Sequence, residues 1–158
     1  MEQLNEEFPE VEMFGPQCIS AGVGKGWVQL LRPVLQALKE NNCKATQIKQ
    51  KFGGLRFYWR FPQHIEEANE EWRNSKTDKS YRIVEGGGFE YLIPRKFEDE
   101  MKRLSSIIEP LIYEAERLSY ATCETCGNSI NPPRSSGYRT ECDECKKSPS
   151  GRWGRSQG

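Results

Sequence analysis

The chain has 158 residues and a mass of 18.3 kDa, which leaves room for one compact domain with a small appendage and excludes two full-sized ones. Its 23 basic and 23 acidic residues cancel, which excludes recognition of a partner by bulk charge alone. Hydrophobic residues make up 35% and aromatics 11%, so the expected core is modest but rich in rings, and no apolar run approaches the ~18 residues that span a bilayer.

The first fourteen residues carry five acids (Glu2, Glu6, Glu7, Glu10 and Glu12) and no base, the reverse of a secretory signal. A cytoplasmic protein without a membrane partner is expected. The run Gly22-Val-Gly24-Lys25-Gly26 fails as a phosphate loop. Ile19 stands where that motif needs its first glycine, and Gly26 stands where Ser or Thr must follow Lys25. A flexible entry turn is expected there, with no nucleotide cofactor. Trp27 to Leu38 then places Trp27, Leu31, Val34, Leu35 and Leu38 on one helical stripe. Pro33 is expected to kink that helix or to mark a later start.

Thr46 to Phe61 reads as a β-hairpin around Gly53-Gly54, a pair suited to a type I′ turn. Counting outward from a two-residue loop pairs Phe52 with Leu55, Gln50 with Phe57, Ile48 with Trp59 and Thr46 with Phe61 on an apolar face. The other face carries Lys51 opposite Arg56, Lys49 opposite Tyr58 and Gln47 opposite Arg60. Like charges facing each other across a ladder cost stability. An anionic partner bound by Lys49, Lys51, Arg56, Tyr58 and Arg60 would account for them, with Tyr58 free to stack on a base. A solvated face with gatekeeper cations, or neutralisation by the acidic N-terminal segment, would account for them too.

Residues 63–80 are polar with Ile65, Ala68 and Trp72 at helical spacing, which predicts a short surface helix. The acids Glu66, Glu67, Glu70 and Glu71 are a solvated face of that helix, or the raw material of a metal-dependent hydrolase. Tyr81–Glu85 and Phe89–Ile93 predict a second hairpin across Gly86-Gly87-Gly88. From Arg95 to Ala121 the positions Phe97, Met101, Leu104, Ile108, Leu111, Ala115 and Leu118 predict one long helix packed on the sheet, bent near Pro110.

Two C-x-x-C pairs follow, Cys123/Cys126 and Cys142/Cys145, with fifteen residues between them. Two tight turns of this kind aim four thiolates at one point, the shell of a Zn²⁺ ion. A thioredoxin-like dithiol expects one such pair beside a βαβ pattern, which is missing here. Four thiolates close the shell, so the zinc is expected to be structural, with Gly127 and Gly137 turning the backbone. Cys18 and Cys43 read as buried or half-buried free thiols. The tail after Lys147 has a disordered composition, and residues 146–158 carry four bases (Lys146, Lys147, Arg152 and Arg155) and no acid. The expected class is α+β: antiparallel β-hairpins packed on two main helices in residues 1–122, a four-cysteine zinc ribbon in 123–146 and a basic tail in 147–158.

The order Gly24-x-Gly26-Trp27, Lys51-Phe-Gly-Gly-Leu-Arg-Phe-Tyr58, Ala115-Glu-Arg-x-Ser119, Thr122-Cys-Glu-x-Cys-Gly127, Gly137, Thr140 and Cys142-x-x-Cys145 resembles a family of small zinc-ribbon proteins. They are encoded in bacteriophages and prophages, and many are known only as hypothetical proteins. The similarity covers about 20–61 and 112–145, and it marks 63–97 as an insertion. In that family the last ligand can be His, whereas this chain keeps four cysteines. The resemblance implies a phage-type product in a bacterial host cytoplasm, and it implies no particular activity.

One histidine, His64, and no convergent acids give no catalytic residues to name. The leading expectation is a non-catalytic zinc protein that docks on an anionic partner, nucleic acid or a nucleoprotein complex, through the hairpin face, the ribbon and the tail. The alternatives are a protein-directed inhibitor of a host defence or transcription complex, and a small metal-dependent hydrolase or nuclease.

Overall fold

The computed structural model describes residues 2–8, 23–75, 81–86, 89–94, 97–133 and 137–147, an α+β arrangement of helices and antiparallel hairpins. In chain order these form α1 (Glu2–Glu7), a 3-10 turn (Lys25–Trp27) leading into α2 (Val28–Glu40), β1 (Lys44–Lys51), β2 (Gly54–Arg60) and α3 (Gln63–Ser75). There follow β3 (Tyr81–Gly86), β4 (Phe89–Pro94), α4 (Glu98–Ser119) and α5 (Asp143–Lys147). None of the described helices is long and apolar enough to cross a membrane.

The stripe expected on α2 is the buried one, with Leu31, Val34, Leu35 and Leu38 in the core beside Trp27. The helix continues through Pro33, which sits inside its first two turns. It ends on Asn42 at φ 54°, with Asn42 N–H donating to the Lys39 carbonyl and Cys43 N–H to that of Leu38. This is the left-handed C-terminal cap that Asn tolerates when glycine is absent. Its second hydrogen bond carries the chain straight into β1. Leu4 of α1 and Phe8 after it join the same core, and Glu7 pairs with Arg32 of α2. That acid therefore neutralises a helix cation and not a hairpin one; Glu10 and Glu12 lie outside the described residues.

The first hairpin forms, but its turn moves back by one residue. Lys51 faces Gly54, and Phe52 (φ 52°) and Gly53 (φ 77°) are the two turn residues. A type I′ turn needs two positive φ values, and two adjacent glycines would supply them without strain. Packing overrides that preference. A Cβ at Gly54 would come within 2.4 Å of the Tyr120 ring, so this glycine is needed for close approach to the end of α4. Partners consequently shift by two, Gln50 facing Leu55, Ile48 facing Phe57 and Lys49 facing Arg56. A shift of two keeps each side chain on its expected face.

Ile48, Leu55 and Phe57 are buried as anticipated, whereas Phe52 leaves the core face and is 65% exposed. The expected opposition of Lys51 and Arg56 is replaced by that of Lys49 and Arg56. An irregularity between Ala45 and Gln47 resets the register so that Ala45 faces Trp59 and Lys44 faces Arg60. The expected pairs Ile48–Trp59 and Thr46–Phe61 are therefore not made.

On α4 the buried residues are Met101, Leu104, Ile108, Ile112, Ala115 and Ser119. The stripe starts as read and then slides from Leu111 and Leu118 to Ile112 and Ser119. A straight helix of 3.6 residues per turn drifts by ~20° per heptad from a strict seven-residue repeat. Ile65 and Ala68 bury one side of α3. Strands β3 and β4 pair from Gly86–Phe89 to Tyr81–Pro94, the second hairpin.

Candidate metal centre

The segment after α4 folds on itself through short backbone bonds. Thr122 bridges Ser129, Ile130 N–H donates to the Ala121 carbonyl, and Cys123 N–H donates to that of Asn128. Gly127 closes the turn with φ 80° and donates to the Cys123 carbonyl at 2.8 Å. This hairpin turn presents Cys123 and Cys126. The ribbon expectation calls for a second hairpin turn, but Cys142 and Cys145 instead lie at the head of α5, where Lys146 N–H donates to the Cys142 carbonyl. Three residues of helical advance bring both sulfurs to one side.

The four sulfurs of Cys123, Cys126, Cys142 and Cys145 lie within 4.8 Å of one another and could hold one metal ion. Among the described residues this is the one group of three or more such side chains that converges. The Cys126 and Cys142 sulfurs are 3.7 Å apart. That is far beyond a disulfide bond of about 2.05 Å. It matches the edge of about 3.8 Å expected for a tetrahedron with 2.3 Å arms from zinc to sulfur. Burial pushes the Cys123 thiol up, but backbone N–H groups of Cys142, Cys126 and Thr125 pull it down further, to about 7. The Cys145 thiol is raised, first by its contact with the Cys126 sulfur.

Contacts with two other parts of the chain, and pairs within the segment itself, hold this cluster in place. Gly26 N–H donates to the Glu124 carbonyl at 2.8 Å, and Trp27 Nε1 donates to the Thr122 carbonyl at 2.9 Å. A Cβ at Gly24 would lie 2.0 Å from the Glu124 oxygen, so the glycines beside Lys25 serve close backbone packing on the first cysteine turn. Thr140 Oγ1 donates to the Gly53 carbonyl at 2.5 Å, and Gln50 Nε2 donates to that of Tyr138. Glu124, only 2% exposed, accepts from Arg139 Nε at 2.5 Å while Thr125 Oγ1 donates to Glu141. Sequence reasoning missed Glu124, Arg139 and Thr140 as supports. Glu124 and Thr140 stood beside the cysteine pairs in the motif order read from the sequence, whereas no sequence signal marked Arg139.

Helix α4 braces the outer edge of β2. Leu55 N–H donates to Ser119 Oγ at 2.9 Å, Phe57 N–H to Glu116 Oε1 at 3.0 Å, and Trp59 Nε1 to Glu109 Oε1 at 3.1 Å. Side chains thus satisfy an edge that would otherwise be open to pairing. Ser119→Ala leaves the buried Leu55 N–H without an acceptor. A loss of about 1–3 kcal/mol is expected in urea unfolding, with the metal content unchanged.

The hairpin residues read as partner-binding are brought together only in part. Lys49 Nζ sits 2.8 Å from Gln47 Oε1 and 5.0 Å above the half-buried Tyr58 ring. Lys51 is exposed with Nζ 5.5 Å from the Phe52 centroid. Arg56 is half-buried and donates to the Tyr120 hydroxyl at 3.1 Å, and Arg60 is exposed at the strand end. Elsewhere His64 Nε2 lies 3.1 Å from Glu100 Oε2 on the surface. Glu67 accepts from Gln63, and the four acids of α3 form no convergent set among the described residues. Cys43 is buried, and its desolvation pushes the thiol up to about 12, as suits an inert core cysteine. Cys18 and the tail from 148 lie outside the described residues.

A hairpin turn and a helix head that converge four sulfurs define a candidate metal-binding protein. Comparison with protein-family models, curated proteins and solved structures finds no match.

Proposed function

We propose that this chain is a non-catalytic protein whose four sulfurs hold a structural Zn²⁺, and that it docks on nucleic acid or a nucleoprotein complex through the hairpin Lys44–Arg60. The observation that carries the docking is the charge of that hairpin. It bears five cations (Lys44, Lys49, Lys51, Arg56 and Arg60) and no acid, with Lys49 directly opposite Arg56. Phosphate would turn that repulsion into affinity.

Zinc is supported by the donor set and by the tetrahedral edge, and a shell of four thiolates leaves no position for water or substrate. The residues shared with the phage and prophage family support that origin, and with it a bacterial host cytoplasm. They occupy the junction of hairpin, glycine turn and cysteine cluster, where a fold of this kind needs them.

The test is the salt dependence of oligonucleotide binding. Lys49→Gln combined with Lys51→Gln is expected to weaken binding across sequences and to lower the log–log salt slope by about 1.5–2. A titration that is flat in salt would refute the docking. The second reading is a protein-directed inhibitor. Ile107, Pro110 and Tyr113 favour it, because they are exposed in a row along α4, Tyr113 to 70%. Capture from host lysate with and without nuclease separates the two, since a partner held through nucleic acid is lost on nuclease treatment and a directly bound protein is kept.

A further inference from the structure

We infer that Phe52 and Tyr138 form a stacking site for single-stranded nucleic acid at the tip of the first hairpin; this rests on the docking reading and adds the strand state and the residues. The two rings are 65% and 86% exposed, two of the four exposed large hydrophobic side chains among the described residues. They sit on separate segments that are fastened together. Thr140 Oγ1 donates to the Gly53 carbonyl, Gln50 Nε2 donates to that of Tyr138, and a Cβ at Gly53 would lie 2.9 Å from the Gly137 oxygen. The platform beneath the rings is therefore fixed relative to the cysteine cluster.

Phe52 is also the wrong residue for its backbone. At φ 52° a bulky ring is strained where Gly or Asn would not be, and exposure returns no burial energy for it. Strain kept at a solvated position points to a contact outside the chain. A cation lies beside the ring, Lys51 Nζ 5.5 Å from the Phe52 centroid, and the hairpin itself carries no acid, the carboxylates of Glu109 and Glu116 reaching it from α4 along β2. Exposed rings beside a cationic track bind unpaired bases without regard to sequence, because every base has a π-face. A duplex hides those faces within its stack. Tyr58 is less suited to this role, being half-buried with Lys49 Nζ 5.0 Å above its ring.

Fluorescence anisotropy with labelled oligothymidylate of about 20 nucleotides tests this, using the full metal-loaded chain and the variants Phe52→Gly and Tyr138→Ser. Glycine suits φ 52°, so Phe52→Gly is expected to stay folded, with an unchanged metal content and a melting temperature at or above that of the parent. Each variant is expected to bind the single strand about 5- to 100-fold more weakly, and the parent is expected to prefer single strands to duplex. If both variants bind oligothymidylate as tightly as the parent, with the salt dependence intact, the stacking site is refuted and the docking reading stands. If the parent binds no oligonucleotide at all, both fall together.

Discussion

Replacing Cys123 by Ser, or adding a strong chelator, is expected to detach the whole segment from Thr122 to Lys147 and to loosen the first hairpin with it. Structural zinc contributes an apparent ~10–16 kcal/mol, comparable to the entire ~5–15 kcal/mol stability of an ordinary domain. Apolar burial adds little here: among its described residues the buried side chains are Cys123, Glu124, Ile130, Thr140 and Glu141, and two of these are acids. The loss should reach the body through Thr140 on the Gly53 carbonyl and through Trp27 on the Thr122 carbonyl. Elemental analysis should find one zinc per parent chain and none in the variant. Hydrogen exchange should accelerate at Cys123, Glu124 and Gly26. Unchanged exchange after chelation would sink the structural role of the ion.

Acidity should act in the same direction. Thiolates, not thiols, bind metal, so binding releases protons and weakens as pH falls. The Cys123 thiol, held at about 7 by backbone N–H groups against its burial, carries its proton below that pH and must shed it to bind. The Cys126 and Cys145 thiols are raised and already carry protons at neutral pH, so apparent zinc affinity is expected to fall from the alkaline side downward and most steeply below about 7, where Cys123 is protonated too.

Gly26→Ala should be among the most damaging single substitutions outside the cysteines. Its Cβ would lie 2.2 Å from the Cys123 carbonyl oxygen and 2.5 Å from Gly127 N. Both obstacles are backbone, so no side chain can swing aside. Relief requires the glycine turn and the cysteine turn to separate, which would break the Gly26 N–H bond to the Glu124 carbonyl. A loss above about 4 kcal/mol is expected in denaturant unfolding, the range of severe steric and network disruption. Parent-like stability would show that the glycine turn does not pack on the cysteine turn in solution.

Much of the architecture was legible because its causes are local. The helical stripes of α2 and α4 follow from a 3.6-residue period, both hairpins from strand patterns around glycines, and the four sulfurs from the spacing of two C-x-x-C pairs. The slide of the α4 stripe is local too, a drift of the helical period, whereas the misread hairpin turn came from contacts between residues distant in sequence. Strand patterns and Gly53-Gly54 locate a hairpin, but its register was decided by the Tyr120 ring against Gly54 and by Ser119 accepting from Leu55.

By itself the sequence determined that this protein is α+β, that four cysteines could share an ion, and that one hairpin bears only cations. Periodicity, ligand spacing and charge are properties of short segments. Tertiary structure alone decided that Phe52 faces solvent in a left-handed turn, that Arg56 leans on Tyr120, and that the second cysteine pair enters on a helix. It also decided what Gly24, Gly26 and Gly54 are for. Close backbone approach is a relation between two segments, and neither segment's residues state it alone.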